Sequence, residues 1–207
     1  MTARTRTRNP DQTRHRILEA AFEEFYRTGF QAGRTDTIAA GAGVTKGALY
    51  HHFRDKSALG YAVVEEAVRA PLLAAYLEPL RQGQGDPLAA LQDVLRRRAD
   101  DFADTGIALG CPLNNLMQEM SPLDEGFRAR IADTLETWVA AFADALEEAK
   151  DGGWVRADVD ARRIATFVIA AIEGAFGTAK NADSVAVLRS NLEVLADLLE
   201  TLRVPRR

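Results

Sequence analysis

The segment from Thr37 to Phe53 constrains the fold of this chain more than any other stretch of its sequence. Two short runs suited to helices, 37–42 and 45–53, are separated by a turn at Gly43. A glycine suits a helix end that takes a left-handed conformation, and Thr45 is a good N-cap for the second helix. The apolar positions that can form a buried side are Ile38, Ala39, Ala42, Val44, Leu49 and Phe53. The pattern predicts a helix-turn-helix, whose second helix can enter a major groove of DNA.

Polar residues occupy the rest of this segment and the positions around it. We expect contacts with DNA from Thr35, Thr37, Thr45, Lys46, Gly47, Tyr50, His51, His52 and Lys56. Lys56 is expected to bind a phosphate from the start of the following helix. His51 and His52 do not form a metal site, because adjacent residues on a helix point about 100° apart.

The amino-acid sequence of this segment resembles that of a known family. The pattern Ile-Ala-x-x-Ala-Gly-Val-Thr-Lys-Gly-Ala-Leu-Tyr-His-His-Phe over residues 38–53 is similar to the DNA-binding domain of the TetR/AcrR family of bacterial transcription regulators. The similarity extends back through 16–21 and 25–30 and covers roughly the first quarter of the chain. Two positions depart from the pattern. Gly41 replaces a longer side chain, at a cost of about 1 kcal/mol in helix propensity, and Thr35 stands where an apolar residue is more usual.

The resemblance implies a homodimeric regulator, most simply a repressor, that a small molecule releases from a palindromic double-stranded DNA operator. Two other classes stay open: a DNA-binding structural protein that needs no effector, and a small-molecule enzyme on an all-α scaffold. The enzyme class has no residue constellation behind it, since the sequence contains no phosphate-binding glycine loop, no His-Glu-x-x-His and no serine elbow. We therefore predict no catalytic residue, no metal and no cofactor.

Charge divides the chain into a basic head and an acidic body. Residues 1–56 hold ten Lys/Arg against six Asp/Glu, a net charge of +4, whereas residues 57–207 hold 16 against 24, a net charge of −8. This asymmetry is expected if only the head meets nucleic acid, although chance drift would produce it as well. One cysteine fits a reducing cytoplasm, and no apolar run approaches the roughly 20 residues of a membrane span.

The chain reads as all-α, with an N-terminal three-helix helix-turn-helix domain and a C-terminal helical ligand-binding and dimerisation domain. We expect a disordered basic tail over 1–10, the DNA-binding domain over 11–55 and the effector-binding and dimerisation domain over 56–207. Arginines 4, 6 and 8 of the tail could reach DNA. Pro71 is expected to kink the fourth helix, and the later helices are predicted over about 87–104, 112–120, 123–150, 158–180 and 183–202.

The last two helices carry the predicted dimer interface. Leucines recur in the final helix at spacings of four and three, and small residues in the preceding helix permit close backbone approach. The predicted interface residues are Phe167, Ala170, Gly174, Gly177, Leu188, Leu192, Leu195 and Leu199. The alternative is that these residues form a core within one chain.

The segment 110–120 resembles a Gly-Cys-x-x-x-Asn-x-x-x-Glu motif of the effector domain in part of the same family. Cys111 would stand at a helix start that lowers its pKa and makes it a sensing thiol, or it is a small buried apolar residue. The predicted ligand-binding residues are Phe102, Cys111, Leu113, Asn114, Met117, Gln118, Trp138, Phe142, Phe167, Glu173 and Phe176. Arginines 96–98 are expected to form a solvated face, with a second nucleic-acid patch as the lesser alternative.

Overall fold

Helices make up nearly all the regular structure in the computed structural model, which describes residues 10–82, 85–102 and 107–205. The predicted all-α class is confirmed, with a helix-turn-helix followed by a helical C-terminal region. Within the described ranges, the one β-type contact is an isolated bridge between Val155 and Arg203. The predicted tail with Arg4, Arg6 and Arg8 lies outside the described residues.

The helices follow one another with short connections. In chain order they are α1 (Pro10–Thr28), α2 (Thr35–Gly41), α3 (Lys46–His52), α4 (Lys56–Ala62), a π-helical segment (Val63–Arg69), α5 (Ala70–Gln82), α6 (Pro87–Arg98), a short 3-10 turn (Asp100–Phe102), α7 (Pro112–Met120), α8 (Glu125–Asp151), α9 (Ala161–Ala182) and α10 (Val185–Glu200). None of the described helices is both long and apolar enough to cross a membrane.

Polar caps start several of these helices where the sequence predicts them. Thr45 accepts a hydrogen bond from the amide of Ala48 at 3.2 Å, and Asp55 accepts one from Ala58 at 2.7 Å. Asp86 caps α6, and Pro87 follows at its first position, where a missing N–H costs nothing. These side chains satisfy amide groups that have no partner inside the helix.

The sequence predicts a kink at Pro71, and the structure shows a π-helical segment just before this residue. The helix widens over Val63–Arg69 and resumes as α5 at Ala70. A proline ring clashes with the carbonyl group four residues earlier in a regular α-helix. We attribute the wider turn to this clash, because π-helical hydrogen bonds span five residues and move that carbonyl away.

The chain folds as two compact units. The first comprises Met1–Ala70 and Asn115–Ile131, and the second comprises Pro71–Asn114 and Ala132–Arg207. The predicted domain boundary at residues 55 and 56 therefore falls inside the first unit. The division of functions at that boundary stays a prediction.

The first unit has an aromatic core. Phe30 packs against Phe25, with ring centroids 5.1 Å apart, and against Phe127, at 4.6 Å. Leu49 of α3 and Leu59 of α4 are fully buried in the same unit. Residues of α8 thus complete the core of the helix-turn-helix unit, although about a hundred residues separate them in the sequence.

The second unit buries the leucine seam of α10. Leu188, Leu192, Leu195 and Leu199 are all buried within the chain, where α10 packs on α6 and α9. The prediction that these four leucines form a dimer interface is therefore wrong, and the alternative of a core within one chain holds for them. The spacing identified residues that share a face, but α6 of the same chain covers that face.

Candidate functional site

The helix-turn-helix is built from α2, a four-residue connection (42–45) and α3. Gly43 adopts a φ of 63°, the left-handed conformation expected there, and the amide of Val44 donates to the carbonyl of Ala39 at 2.9 Å. Ile38 and Leu49 are buried and hold the two helices together. Because the turn and the buried side are fixed, the opposite side of α3 is presented at the surface.

Three predicted contact residues of α3 have exposed side chains: Lys46, Tyr50 and His51. Lys46 Nζ forms an ion pair with Asp36 Oδ1 at 2.9 Å, and this hydrogen bond raises the pKa of Lys46. The Tyr50 hydroxyl lies 3.3 Å from the Thr35 hydroxyl. The start of α2 therefore contacts the polar face of α3 and orients two of its side chains.

The remaining residues predicted to contact DNA differ in exposure and in their hydrogen bonds. Gly47 and Thr37 are exposed and His52 is half-buried, while the Thr45 hydroxyl serves as the N-cap of α3. Lys56 Nζ donates to the carbonyl of Gln31 at 3.0 Å and lies 4.8 Å from the Phe30 ring centroid. Partial burial lowers the pKa of Lys56. Since this hydrogen bond lies at the surface, the role of Lys56 as a phosphate anchor stays a prediction.

Two exposed arginines near this surface were not predicted as contacts. Arg34 precedes α2, and its charge acts on Lys46. Arg54 follows α3 with a side chain that is 81% exposed and pairs with Asp55. Their basic charge was visible in the sequence, but only the fold shows that they flank the polar face of α3.

The second unit contains a group of polar side chains in an apolar interior, which we call the interior polar cluster. Its members are Tyr76, Arg98, Cys111, Trp138 and Glu173. Cys111 Sγ donates to Glu173 Oε1 at 3.5 Å, and the Tyr76 and Trp138 rings lie 4.3 Å apart. The Arg98 guanidinium lies 5.2 Å from the Tyr76 ring centroid. Helices α5, α6, α8 and α9 and the start of α7 each supply one of these residues.

Burial shifts the pKa values in the interior polar cluster. It raises the pKa of Glu173 to about 7, although Cys111 and Arg98 act in the opposite direction. Burial and the nearby Glu173 raise the pKa of Cys111 above its usual range. The amides of Leu113 and Asn114 at the start of α7 lower it as predicted, but burial outweighs them. The prediction of a low-pKa thiol at Cys111 is therefore wrong.

Several polar atoms of the interior polar cluster are unsatisfied. Within the part of the chain that the structure describes, no hydrogen-bond partner is present for Glu173 Oε2, Trp138 Nε1 or Arg98 Nε. The Tyr76 hydroxyl is near Arg98 but lacks a well-aligned hydrogen bond among the same residues. Buried polar groups are normally paired, so a concentration of unpaired groups from four helices indicates a site that can bind a further molecule.

Like Tyr76, Arg98 is a member of this cluster that the sequence did not reveal. Its guanidinium also lies 5.0 Å from the ring centroid of Phe102 and 5.8 Å from that of Phe176. Arginines 96–98 were predicted to be solvated, which holds for the exposed Arg96 and Arg97 but is wrong for Arg98, whose side chain is only 14% exposed. A run of identical residues hides which side chain turns inward.

The other predicted ligand residues separate into three groups. Leu113 and Phe142 are buried in the second unit, and Asn114 donates to the Glu173 carbonyl at 3.1 Å. Met117 and Gln118 belong to the first unit, and Gln118 is exposed. Phe167 is 58% exposed on the outside of α9, so it does not line the interior of this chain.

An open cleft lies beside the interior polar cluster in the second unit. It has a volume of about 520 Å3 and lies between α5 and α6. Its lining includes Ala75, Pro79, Val94 and Arg98. Because Arg98 belongs to both, the cleft reaches the edge of the cluster from the surface.

The outer faces of α9 and α10 carry an exposed apolar surface, which we call the α9–α10 stripe. Its members are Phe167, Ala170, Gly174 and Gly177 on α9 and Val194 and Leu198 on α10. Asn191 donates to Thr178 at 3.2 Å and joins the two helices on this side. A Cβ atom added to Gly174 or Gly177 would meet no atom of the chain within 4 Å. The four predicted dimer residues on α9 thus face outward, unlike the leucines.

Comparisons with known proteins match both regions of the chain. A family profile described as "Bacterial regulatory proteins, tetR family" matches residues 17–63, and one described as "Transcriptional regulator LmrA/YxaF-like, C-terminal domain" matches residues 87–193. The transcriptional regulator AcuR of Cereibacter sphaeroides is 33% identical over 188 residues, which are 89% of this chain and 79% of that protein. The transcriptional repressor DhaR of a Mycobacterium species is 28% identical over 78% of this chain and 79% of its own length.

Solved structures agree in fold. A regulatory protein TetR from Rhodobacter sphaeroides superposes with a TM-score of 0.80 at 30% identity, covering 92% of this chain and 98% of that one. The reduced form of NemR from Escherichia coli gives a TM-score of 0.82 at 24% identity, covering 94% and 98%. The second likeness concerns the fold alone. These matches extend over both units of the chain.

Proposed function

This chain belongs to the TetR family of bacterial transcription regulators, and from that premise we propose that it is a homodimeric repressor released from a palindromic operator by a small molecule. Its membership makes it a DNA-binding regulator of transcription. The relatives are named as regulators rather than enzymes, so the enzyme class is set aside. The effector, the dimer and the release are the proposed parts.

The polar face of α3 carries the proposal of operator recognition. Lys46, Tyr50 and His51 are exposed on a helix whose other side is buried, the arrangement needed to insert a helix into a major groove. Arg34 and Arg54 are exposed beside α3 and can contact DNA phosphates. Phosphate contacts fix the position of the protein, whereas the α3 side chains read base edges.

The α9–α10 stripe supports a dimer. Phe167, Val194 and Leu198 are 58%, 57% and 52% exposed, an unusual concentration of apolar surface on adjacent helices. Gly174 and Gly177 each cost about 1 kcal/mol in helix propensity relative to alanine. Their own chain does not require them, because it leaves open space around both. In a dimer, these glycines would allow α9 of a second copy to approach closely.

A two-fold dimer of this kind explains a palindromic operator. Two copies related by a two-fold axis present the same α3 face twice, so each reads one half-site in opposite directions. Selectivity then depends on both half-sites being present at the correct spacing.

The interior polar cluster supports effector binding. Its unpaired Glu173, Trp138 and Tyr76 atoms offer donors and an acceptor among aromatic rings, as in small-molecule sites that are mostly apolar with a few fixed polar groups. The cleft of about 520 Å3 beside Arg98 offers a route to it. An effector releases DNA only if it binds the DNA-free state more tightly than the DNA-bound state.

Substitutions on α3 test operator recognition. A DNA site is first selected from a random-sequence library with the unmodified protein, and its affinity is then measured for Lys46→Ala and Tyr50→Ala. Each variant should lose about tenfold or more in affinity, since a good side-chain contact to a base is worth roughly 1–3 kcal/mol. Lys150→Ala is the control on a helix outside the helix-turn-helix, because Lys150 likewise pairs with one acidic residue, Glu147, at 2.9 Å. Full affinity in both α3 variants would refute the assignment of α3.

A thermal-shift screen of a small-molecule library tests the effector. A true effector should raise the unfolding temperature of the unmodified protein and weaken its binding to the selected DNA. Tyr76→Phe should reduce the thermal shift, because it removes one unpaired hydroxyl and retains the ring. If compounds never change DNA affinity, the alternative of an effector-independent DNA-binding protein replaces this part of the proposal.

A further inference from the structure

Glu119, at the end of α7, binds two consecutive backbone amides of the loop between α1 and α2. Its Oε2 accepts from the Phe30 amide at 2.8 Å, and its Oε1 accepts from the Gln31 amide at 2.8 Å. Both oxygens of one carboxylate are therefore used on the segment 29–34, which leads directly into α2. Nearly ninety residues of sequence separate the carboxylate from the loop.

The loop 29–34 depends on side chains to satisfy its backbone. The Arg34 amide donates to Glu24 Oε1 at 2.9 Å, and Lys56 Nζ donates to the Gln31 carbonyl at 3.0 Å. Gln31 is thus bound by Glu119 through its amide and by Lys56 through its carbonyl. A loop held in this way has few bonds of its own to keep its shape if the side chains are removed.

Gly29 shows how closely the carboxylate approaches. Its φ of 83° is in the left-handed region, and a Cβ atom on it would lie 3.0 Å from both Glu119 oxygens. Glycine therefore meets two requirements at this position. It adopts a left-handed backbone conformation that would strain other residues, and it leaves space for the Glu119 carboxylate. The three atoms nearest to this Cβ position all belong to the Glu119 carboxylate.

Further contacts bind the same part of the chain to the first unit. Tyr61 donates to Asp124 Oδ1 at 2.8 Å, and Arg130 Nε pairs with Glu65 Oε1 at 2.7 Å. The segment 115–131 is therefore an integral part of this unit. Its contacts reach α4 and the π-helical segment, and Phe127 packs on the Phe30 ring. Glu119 binds the backbone amides of the loop before α2.

We propose that Glu119 is a positioning residue for DNA recognition, through which α7 holds the loop 29–34 and thereby sets the placement of α2 and α3. This inference rests on the proposed operator binding. The physical reason is that hydrogen bonds to a charged acceptor are about twice as strong as neutral ones, and two on adjacent amides fix both position and direction.

The test compares Glu119→Gln and Glu119→Ala with the unmodified protein and with Glu125→Gln. Glutamine keeps the size of the side chain but turns one acceptor into a donor that faces an amide. Glu125 is a matched control because it lies on the same segment and pairs only with Arg128 at the surface among the described contacts. Affinity for the selected DNA is measured well below the unfolding temperature of each variant, together with hydrogen exchange at the Phe30 and Gln31 amides.

We expect both Glu119 variants to lose about tenfold or more in DNA affinity while the dimer stays intact. Exchange at the two amides should accelerate by a similar factor, and Glu125→Gln should change neither quantity. A purely structural role would lower the unfolding temperature but leave the affinity of the folded protein unchanged, and that result overturns the inference. If Glu119→Ala does not fold, Glu119→Gln decides. Failure of the unmodified protein to select any DNA would instead refute the proposed function.

Discussion

The buried carboxyl group of Glu173 should make the stability of the protein fall as pH rises towards neutral. Its pKa is raised from 4.5 to about 7 by burial. Between these two values the folded state binds a proton that the unfolded state has released, so the free energy of unfolding decreases with increasing pH. Below pH 4.5 the group is protonated in both states, and above about pH 7 the full loss is reached.

The size of the effect follows from the same two values. One pKa unit corresponds to 1.36 kcal/mol, so the difference between 4.5 and about 7 is worth roughly 3 kcal/mol. Glu173→Gln removes the ionisation and keeps the side-chain size and the acceptor for Cys111. The variant should therefore gain about 3 kcal/mol relative to the unmodified protein on going from pH 4.5 to pH 8. Any constant difference from the amide group cancels in this comparison.

Urea denaturation at fixed protein concentration provides the measurement, at several pH values between 4.5 and 8. Glu173→Asp is unsuitable because it shortens the side chain, whereas Glu148→Gln is an exposed control that should follow the unmodified protein. If the curves for Glu173→Gln and the unmodified protein stay parallel with pH, Glu173 ionises without penalty. The account of the interior polar cluster as a dehydrated site would then be wrong.

Three further outcomes are expected. Asp36→Asn should tighten binding to the selected DNA about threefold, because it releases Lys46 and removes a negative charge facing phosphates; unchanged affinity would place Asp36 away from DNA. Gly174→Ala with Gly177→Ala should stabilise the helix yet weaken the dimer about tenfold in sedimentation experiments, and an unaltered dimer would exclude these glycines from the interface. Iodoacetamide should alkylate Cys111 about a hundredfold more slowly in the folded than in the urea-unfolded protein; comparable rates would contradict its burial and raised pKa.

Local signals in the sequence predicted the helix-turn-helix and most helix starts. Gly43, Thr45 and Asp55 act on backbone atoms within a few residues, so their roles can be inferred without knowledge of the fold. The end of α6 was predicted near residue 104, whereas the α-helix stops at Arg98 and a 3-10 turn follows. No strong helix breaker marks that end, since residues 99–105 contain neither glycine nor proline.

Features that depend on distant parts of the chain were not predictable in this way. The leucines of α10 share a face by their spacing, but spacing does not tell whether α6 or a second copy covers it. Glu119 was part of a recognised motif, yet its partners Phe30 and Gln31 lie nearly ninety residues away. Cys111 shows a third limit, because the predicted effect of the helix start is present but smaller than the effect of burial.

The π-helical segment Val63–Arg69 gives this part of the chain an unusual tolerance for a change of length. A π turn contains about one residue more than an α turn, so deleting a single residue there, together with Pro71→Ala to remove the clash, would leave a regular α-helix. The same deletion in the middle of α8 would rotate every later side chain by about 100° and expose its buried face. A one-residue deletion is therefore expected to be tolerated in the π-helical segment and to disrupt the packing of α8.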